Sequence, residues 1–482
     1  MKTKLKKFAL AATSAAVLGG VATSAHAANW LKLQGTEPAD AAGRAKVWGF
    51  IQAQYQVDNS DACTAGCNPP ANNLTDVYIP PKLIGPNLTS QEQFNVNRAR
   101  IGVRGVGLPL DNKVNYFILA EFGNNAITAA NDGGTHLTDA SITLNHLKYA
   151  RIRVGLFKTP GYEEGMQAIH TFDYINFTTM GNQLMLERFP NSTYSPNHDP
   201  VTLPVDTSDG GLNQFDQPVG AFRDVGIQVF DWFNVGNWEH SYAAMIGNGN
   251  GLNFGDVNSN KDKYLYWASE LVFGGKGPRR EGLKLFAWWQ DGTRNLDNTN
   301  DGIYNPQEFD RTRQGVGLKY LKKPFRVTAE YAEGKGMIFV GPDKPTFDQN
   351  GPTTGNPFGD NVNQADGANG EADGWYLDLG WYVPTTKWEL DLRYDYYKRL
   401  SNDPNVTAPV PPPLAGAVDK NFTSVWKTWT MGVQYHFNKK TRLAFNYSIR
   451  DVNSPAWGPS AGPNANMKGI GSIMGLQLTA IF

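Results

Sequence analysis

Residues 474–482 read MGLQLTAIF. Met474, Leu476, Leu478, Ala480 and Phe482 share one phase of an alternation, and Gly475, Gln477 and Thr479 share the other. Side chains of a strand point alternately to its two faces, so this segment carries one apolar face and one small or polar face. An apolar face closing on an aromatic residue suits a strand with lipid outside and water inside. The same alternation recurs along the chain. It implies an all-β fold, a transmembrane antiparallel β-barrel.

Sixteen segments carry the pattern: 45–57, 93–106, 113–123, 139–148, 151–158, 222–233, 238–248, 263–273, 282–291, 311–321, 325–335, 373–383, 388–398, 426–437, 442–451 and 472–482. Every other link between them is short: Gly107–Asn112, Tyr149–Ala150, Asn234–Asn237, Gly274–Glu281, Lys322–Pro324, Pro384–Lys387 and Asn438–Thr441. These hold the Gly, Pro, Asn and Asp that tight turns require. The intervening links are long, the longest being 159–221. Short periplasmic turns alternating with long external loops are the pattern of an outer-membrane barrel, and an even strand count puts both ends of the barrel in the periplasm.

The N-terminus supports export. Lys2, Lys4, Lys6 and Lys7 precede a mostly apolar, Ala-rich stretch from Phe8 to Val21, and Ala25-His26-Ala27 fits a signal-peptidase site. The expected organisation is a signal peptide over 1–27, a periplasmic segment over 28–44 and the barrel over 45–482. Ala28, not Cys, stands directly after the cleavage site, which argues against a lipoprotein. The apolar core is short for a membrane anchor, and no later run of about 18 apolar residues offers a transmembrane helix. Mean hydropathy is -0.43, which polar lumen residues and wet loops account for. Aromatics make up 12% of the chain, with 13 Trp and 20 Tyr, the residues that favour membrane interfaces. A net charge of -1 gives no reason to expect a nucleic-acid partner.

Assigning the more apolar phase of each strand to lipid turns the other phase toward the lumen. Arg98, Arg100, Arg104, Arg151, Arg153, Arg311, Arg313, Lys319, Arg326, Arg393, Arg442 and Arg450 then line a pore, with Lys46 and Lys284. The inward acids on this rule are Glu121, Asp224, Glu270, Glu330, Asp378, Glu389, Asp391 and Asp395. The expected lumen holds about 14 basic against 8 acidic groups. Basic groups lining a confined pore attract anions. The arginines gather on the second, fifth and tenth strands and the acids on the thirteenth, an arrangement that implies a field across the channel.

The long third external loop, 159–221, opens on an apolar stretch. Met166, Ile169, Phe172, Ile175 and Phe177 are costly to leave in water, so the loop is expected to fold inward and narrow the channel. Its expected constriction residues are Met166, Phe172, Tyr174, Phe177 and Arg188.

Four segments carry a family resemblance: FNVNRARIGVRGVG at 94–107, LDNKVNYFILAEFG at 110–123, LTDASITL at 137–144 and ARIRVGLFKTPGYEE at 150–164. Over these roughly 70 residues the chain resembles the phosphate-selective porin O and P family. The resemblance implies a sixteen-stranded outer-membrane channel, a homotrimer, with an inward arginine ladder. Arg98, Arg100, Arg104, Arg151 and Arg153 stand where such a ladder would run. Phosphate-binding members place a Lys cluster at the constriction; loop 159–221 has Arg188 and no Lys.

Other motifs are weaker. Cys63 and Cys67, in DACTAGCNPP, read most simply as a small disulfide staple in an exported loop. The segment 297–308 approaches a Ca²⁺ loop, with Asp297, Thr299, Asp301, Ile303 and Glu308 as ligand positions and Gly302 at the turn. Thr299 stands where Asp or Asn is usual, and strands rather than helices flank the loop. No other cofactor is indicated. The seven His show no nucleophile, base and orienter converging on one face, so no enzyme is expected. The residues thus point to passive diffusion of small hydrophilic solutes, anions favoured, through a barrel set among lipid and lipopolysaccharide. Two alternatives remain. One is a barrel that sheathes a partner, for instance an electron carrier. The other is a structural or adhesive barrel with a closed lumen, for which inward aromatics on most strands would speak; Trp48, Phe50 and Trp288 are those on the minority phase.

Overall fold

The computed structural model describes residues 45–60, 92–107, 111–125, 127–128, 134–186, 222–252, 256, 259–275, 280–296, 307–338, 369–401, 423–455, 458–459, 464 and 469–482. The expected signal peptide and the cysteine pair lie outside these residues. Sixteen strands form one closed antiparallel barrel, each paired with its neighbours in sequence and the last with the first. They are β1 Lys46–Asp58, β2 Glu92–Val106, β3 Val114–Glu121, β4 His136–Leu144, β5 Arg151–Lys158, β6 Arg223–Val235, β7 Trp238–Gly247 and β8 Asp262–Gly274. Then follow β9 Glu281–Leu296, β10 Gln307–Lys322, β11 Phe325–Lys335, β12 Glu371–Tyr382, β13 Trp388–Arg399, β14 Ser424–His436, β15 Thr441–Asn453 and β16 Ile473–Ile481. Closure pairs Tyr55 with Leu476 and Gln54 with Gln477 across β1 and β16. It leaves no sheet edge to hydrogen-bond in lipid.

All sixteen expected strands are present, and two begin and end where the alternation places them. β4 is shifted. It spans His136–Leu144 rather than 139–148, and its turn runs over 145–150 rather than Tyr149–Ala150 alone. A bulge accounts for the early start. Leu119 pairs with Asp139 but Ala120 with Leu137, so Thr138 is an extra residue and both Thr138 and Asp139 face inward, fully buried. The early end has a separate cause: His146 pairs with Asp111 and Tyr149 turns to φ 64°, so these residues cap the turn instead of extending the ladder. A second bulge on β2 places Asn97 beside Arg98, with both buried.

The outward face is apolar at the height of the membrane. Ile101, Ile118, Ile142, Ile227, Leu265, Val316, Met431 and Leu478 are all exposed on it. At the short-turn rim Trp388 packs on Tyr435 and Tyr435 on Phe437, as an interfacial girdle requires. Lys46 keeps the inward phase but sits at this rim, open to solvent.

Inside, large aromatics are more frequent than the minority phase alone suggests. Besides Trp48, Phe50 and Trp288, the inward set includes Phe117, Phe230, Tyr264, Phe286, Tyr376, Tyr397 and Trp426, all buried. Many of them share one cluster with Tyr162, Met166, Met180, Leu184 and Met185 of the third external loop. The barrel therefore has a core, built between its wall and that loop.

Candidate functional site: the loop inside the barrel and its charged walls

The loop leaves β5 at Lys158 and enters the lumen. Within 159–186 it makes one turn of α-helix at Glu163–Met166, a short 3₁₀ turn at Ile169–Thr171 and a π turn at Gly181–Met185. Apolar residues at close spacing cannot stay in water, and almost every residue of the stretch is buried. Met166, Phe172 and Tyr174 are buried; Phe177 is half-buried, against Phe172 and Phe222. Arg188 lies outside the described residues.

Side chains from much of the circumference hold the loop. On the β9–β13 side, the Glu163 N–H donates to Glu330 Oε1 at 3.2 Å, and the Glu163 carboxylate takes Lys284 at 2.5 Å and Lys319 at 3.6 Å. Glu164 pairs with Arg393 at 2.9 Å, and Asp173 with Arg326 at 3.0 Å. The Thr179 N–H donates to Asp395 at 3.0 Å. On the far side, the Ile175 N–H donates to Asn446 at 2.7 Å and Arg442 donates to the Phe172 carbonyl. Arg313 donates to the carbonyls of Leu184, Gly336 and Met337, and so ties the loop to the end of β11. Two glycines make room for it. A Cβ at Gly334 would meet Leu184 Cδ1 at 2.7 Å, and one at Gly374 would meet Met180 Sδ at 3.0 Å.

The inward basic residues expected from the alternation face inward, and several of them meet acids, some from the expected inward set and some not. Arg100 pairs with Glu121 at 2.6 Å, Arg393 with Asp378 at 2.6 Å and Arg450 with Asp58 at 2.8 Å. Arg326 takes Asp391 at 2.6 Å and Glu389 at 3.3 Å. Arg151 pairs with Asp231 and lies over Trp232, and Arg153 lies over Phe230. Arg311 donates to Gln290 at 3.1 Å and Arg104 sits over Trp48. Twelve arginines and fifteen carboxylates are fully buried among the described residues. With the half-buried Arg104, Arg151, Lys158, Lys284, Arg294 and Lys319 counted as well, the described lumen carries a smaller positive excess than the alternation alone suggests. Asp58, Asp139, Asp231, Glu239 and Asp262 sit at bulges and strand ends, and Glu163, Glu164 and Asp173 come in on the loop. Only the folded path of the loop shows that the last three face inward.

The charges are separated across the lumen rather than summed. One wall carries Arg98, Arg100 and Arg104 of β2, Lys158 of β5 and Arg223 of β6, close enough that Arg98, Arg100, Lys158 and Arg223 repel one another. Its acids are Glu121 and Asp139. Arg98 donates to Gln52 Oε1 at 3.1 Å, and no described carboxylate reaches it as an ion pair. His170 of the loop faces this wall over Phe50 and is pushed down to about 3 by burial and by Arg442, Lys158, Arg100 and Arg104. It is a neutral ring among cations. The opposite wall, β9 to β13 with the loop's own acids, holds Glu163, Glu164, Asp173, Glu330, Asp378, Glu389, Asp391 and Asp395 against Lys284, Lys319, Arg326 and Arg393.

A closed sixteen-stranded barrel with an inward third loop and charged inner walls has the form of a diffusion channel. A family profile described as Gram-negative porin matches residues 11–453. This chain belongs to the Gram-negative porin family. It is an outer-membrane porin. No curated protein matches it. Among solved structures it is similar to an anion-selective porin from Comamonas acidovorans, at 12% identity and a TM-score of 0.48, over 92% of this chain and 100% of that one. The outer membrane channel DcaP of Acinetobacter baumannii matches at 12% identity and TM-score 0.44, over 93% and 100%. Salmonella typhi OmpF, in complex with daunomycin, matches at 10% and 0.47, over 91% and 97%. Likenesses this distant say nothing of what this porin carries.

Of the Ca²⁺-like segment in this porin, Asp297, Thr299, Asp301 and Ile303 lie outside the described residues. Glu308 is on β10 and accepts from Asn260. Among the described residues no three His, Cys, Asp or Glu side chains converge as a metal site.

Proposed function

We propose that this porin lets small hydrophilic solutes diffuse passively and favours anions, working as a homotrimer. The observation that carries the reading is the wall of Arg98, Arg100, Arg104, Lys158 and Arg223, which among the described residues carries the carboxylates of Glu121 and Asp139. A solute passing between loop and wall on this side meets net positive charge in a confined space, where field lines are concentrated. An arginine held by a neutral partner, as Arg98 is by Gln52, offers its charge to a passing anion. Phosphate and related oxyanions are the anions that the resemblance over 94–164 suggests.

A planar-bilayer reversal potential under a KCl gradient tests the reading. It is expected to favour chloride, and added millimolar phosphate is expected to reduce the current if oxyanions bind. A potential favouring potassium overturns the anion preference. A second reading, a barrel with a filled lumen and a structural role, draws on the many inward aromatics and on the apolar core they share with the loop. Reconstituted protein that carries no current would favour it.

A further inference from the structure

A histidine faces outward near the start of β7, away from the pore. Glu239, Ser241, Ala243 and Met245 of this strand are buried, so Trp238, His240 and Tyr242 take the outer face. His240 stands opposite Phe233 of β6 and Ser269 of β8. Its ring centroid lies 5.3 Å from that of Phe233 and 5.9 Å from that of Trp267. Polar groups on a face that meets lipid are costly unless they are hydrogen-bonded. His240 Nδ1 and Ser269 Oγ are 2.9 Å apart, and Trp267 Nε1 donates to the same oxygen at 3.1 Å.

These partners set the tautomer of the ring. An indole N–H can only donate, so Ser269 Oγ accepts from it. The Ser269 hydroxyl proton then goes to His240 Nδ1, its acceptor among the described residues. With Nδ1 accepting, the neutral ring carries its proton on Nε2. Nε2 has no hydrogen-bond partner among the described residues and is not walled off inside the protein, so it presents an N–H donor outward.

The setting says what meets that donor. On the described strands outward tryptophans occur only on β7 to β14, Trp238 and Trp267 among them. The tryptophans of the other eight strands, Trp48 and Trp232, take the inward phase under Arg104 and Arg151. Tryptophan collects where protein meets the lipid interface. The short turn beside β7 brings a cation to this rim: Tyr242 donates to the Tyr149 carbonyl, and the exposed Lys148 lies over the Tyr149 ring at 4.9 Å. Asp231, opposite Tyr242 in the register, is held by Arg151. A donor, a cation and two rings at headgroup depth fit an anionic acceptor carried on acyl chains. We propose that His240, Ser269, Trp267 and Phe233 form a seat for a glycerophospholipid of the periplasmic leaflet, whose phosphodiester accepts from His240 Nε2–H. The phosphodiester is chosen over the ester carbonyl because a charged acceptor makes the stronger hydrogen bond. The seat does not depend on which solutes the pore passes.

Nitrogen NMR of the histidine-labelled protein, folded in maltoside micelles above the pH at which imidazole is charged, tests it. The probes are dioleoylphosphatidylethanolamine and dioleoylglycerol, which has the same chains and no phosphate. The His240 signals, identified by their loss in His240→Phe, are expected to show the Nε2–H tautomer. Phosphatidylethanolamine is expected to move the Nε2–H proton downfield in a saturable way, and dioleoylglycerol to leave it in place. Native mass spectrometry gives a second readout. His240→Phe keeps a ring and loses the donor, so it is expected to weaken phosphatidylethanolamine about tenfold and leave dioleoylglycerol unchanged. Ser269→Ala frees Nδ1 and is expected to weaken the phospholipid about threefold. An Nδ1–H tautomer in the parent, an equal response to the two lipids, or phospholipid binding that neither variant alters overturns the seat.

Discussion

Two adjacent glutamates show how single residues hold the loop. Glu163 and Glu164 are both buried, yet their environments drive them apart. For Glu163, burial pushes the carboxyl up, but Lys284 and then Lys319 outweigh it and hold it below the ordinary value. For Glu164, burial prevails over Arg393 and the carboxyl is pushed up. The signs differ in consequence. Glu163 binds its proton more weakly when the loop is docked, so its contribution is full above the ordinary glutamate range and is lost as pH falls through its lowered value. Glu164 favours its neutral form when docked, so acidification does not weaken docking through it. Hydrogen exchange of residues 163–171 is therefore expected to quicken below about pH 4. In Glu163→Gln it is expected to be faster already at neutral pH, by about 3–5 kcal/mol of lost protection, since Lys284 would be left buried without its partner. The acid-dependent step should vanish as well. A variant that exchanges like the parent at pH 7 would show that the pair does not hold the loop.

At the scale of the element, the strand's two faces set different rules. Val316 lies near the middle of β10 on the outward phase, 51% exposed, while Arg313 three residues away is buried inside. Val316→Arg is expected to cost about 2–4 kcal/mol near the bilayer midplane, read as a lower urea midpoint for the protein folded into phospholipid vesicles. A midpoint unchanged by the substitution would mean the strand is not set at that depth. The same two-residue period made the strands legible from sequence, since β5 and β11 are bounded where the alternation starts and stops. It failed where the period itself breaks. The extra residues Thr138 and Asn97 shift the phase, and nothing local marks them, because a bulge is fixed by the register of the neighbouring strand. The inward direction of the loop was legible from Met166, Phe172 and Tyr174, which have nowhere else to go. What those residues meet was not. Glu164 finds Arg393, Asp173 finds Arg326 and Arg442 finds Phe172 only after the barrel has closed and set distant strands side by side. Hence Glu163, Glu164 and Asp173, which offset positive charge inside the barrel, could not be read from the alternation.

At the scale of the whole molecule, near-balance of charge and its separation have distinct consequences for current. A balanced lumen gives little selectivity to a solute at the axis, whereas one that follows the β2–β6 wall feels the local excess. That excess acts through solvent in the channel, so salt screens it: the Debye length is about 30 Å at 0.01 M and about 3 Å at 1 M. Anion preference is therefore expected to be clear in dilute KCl and nearly absent near 1 M. Arg98, held by Gln52, and Arg104, lying over Trp48, are the groups to remove, because both stand on that wall. Arg98→Gln with Arg104→Gln is expected to shift the dilute-salt reversal potential toward potassium and to leave the 1 M value in place. Arg151→Gln removes the same charge from a pair with Asp231 at the short-turn rim and is expected to move it less. If all three changes act alike, selectivity follows the lumen's total charge. If the Arg98 and Arg104 pair dominates per charge removed, the ions travel along that wall, and the loop's role is to steer them to it by filling the rest of the barrel with its own apolar core.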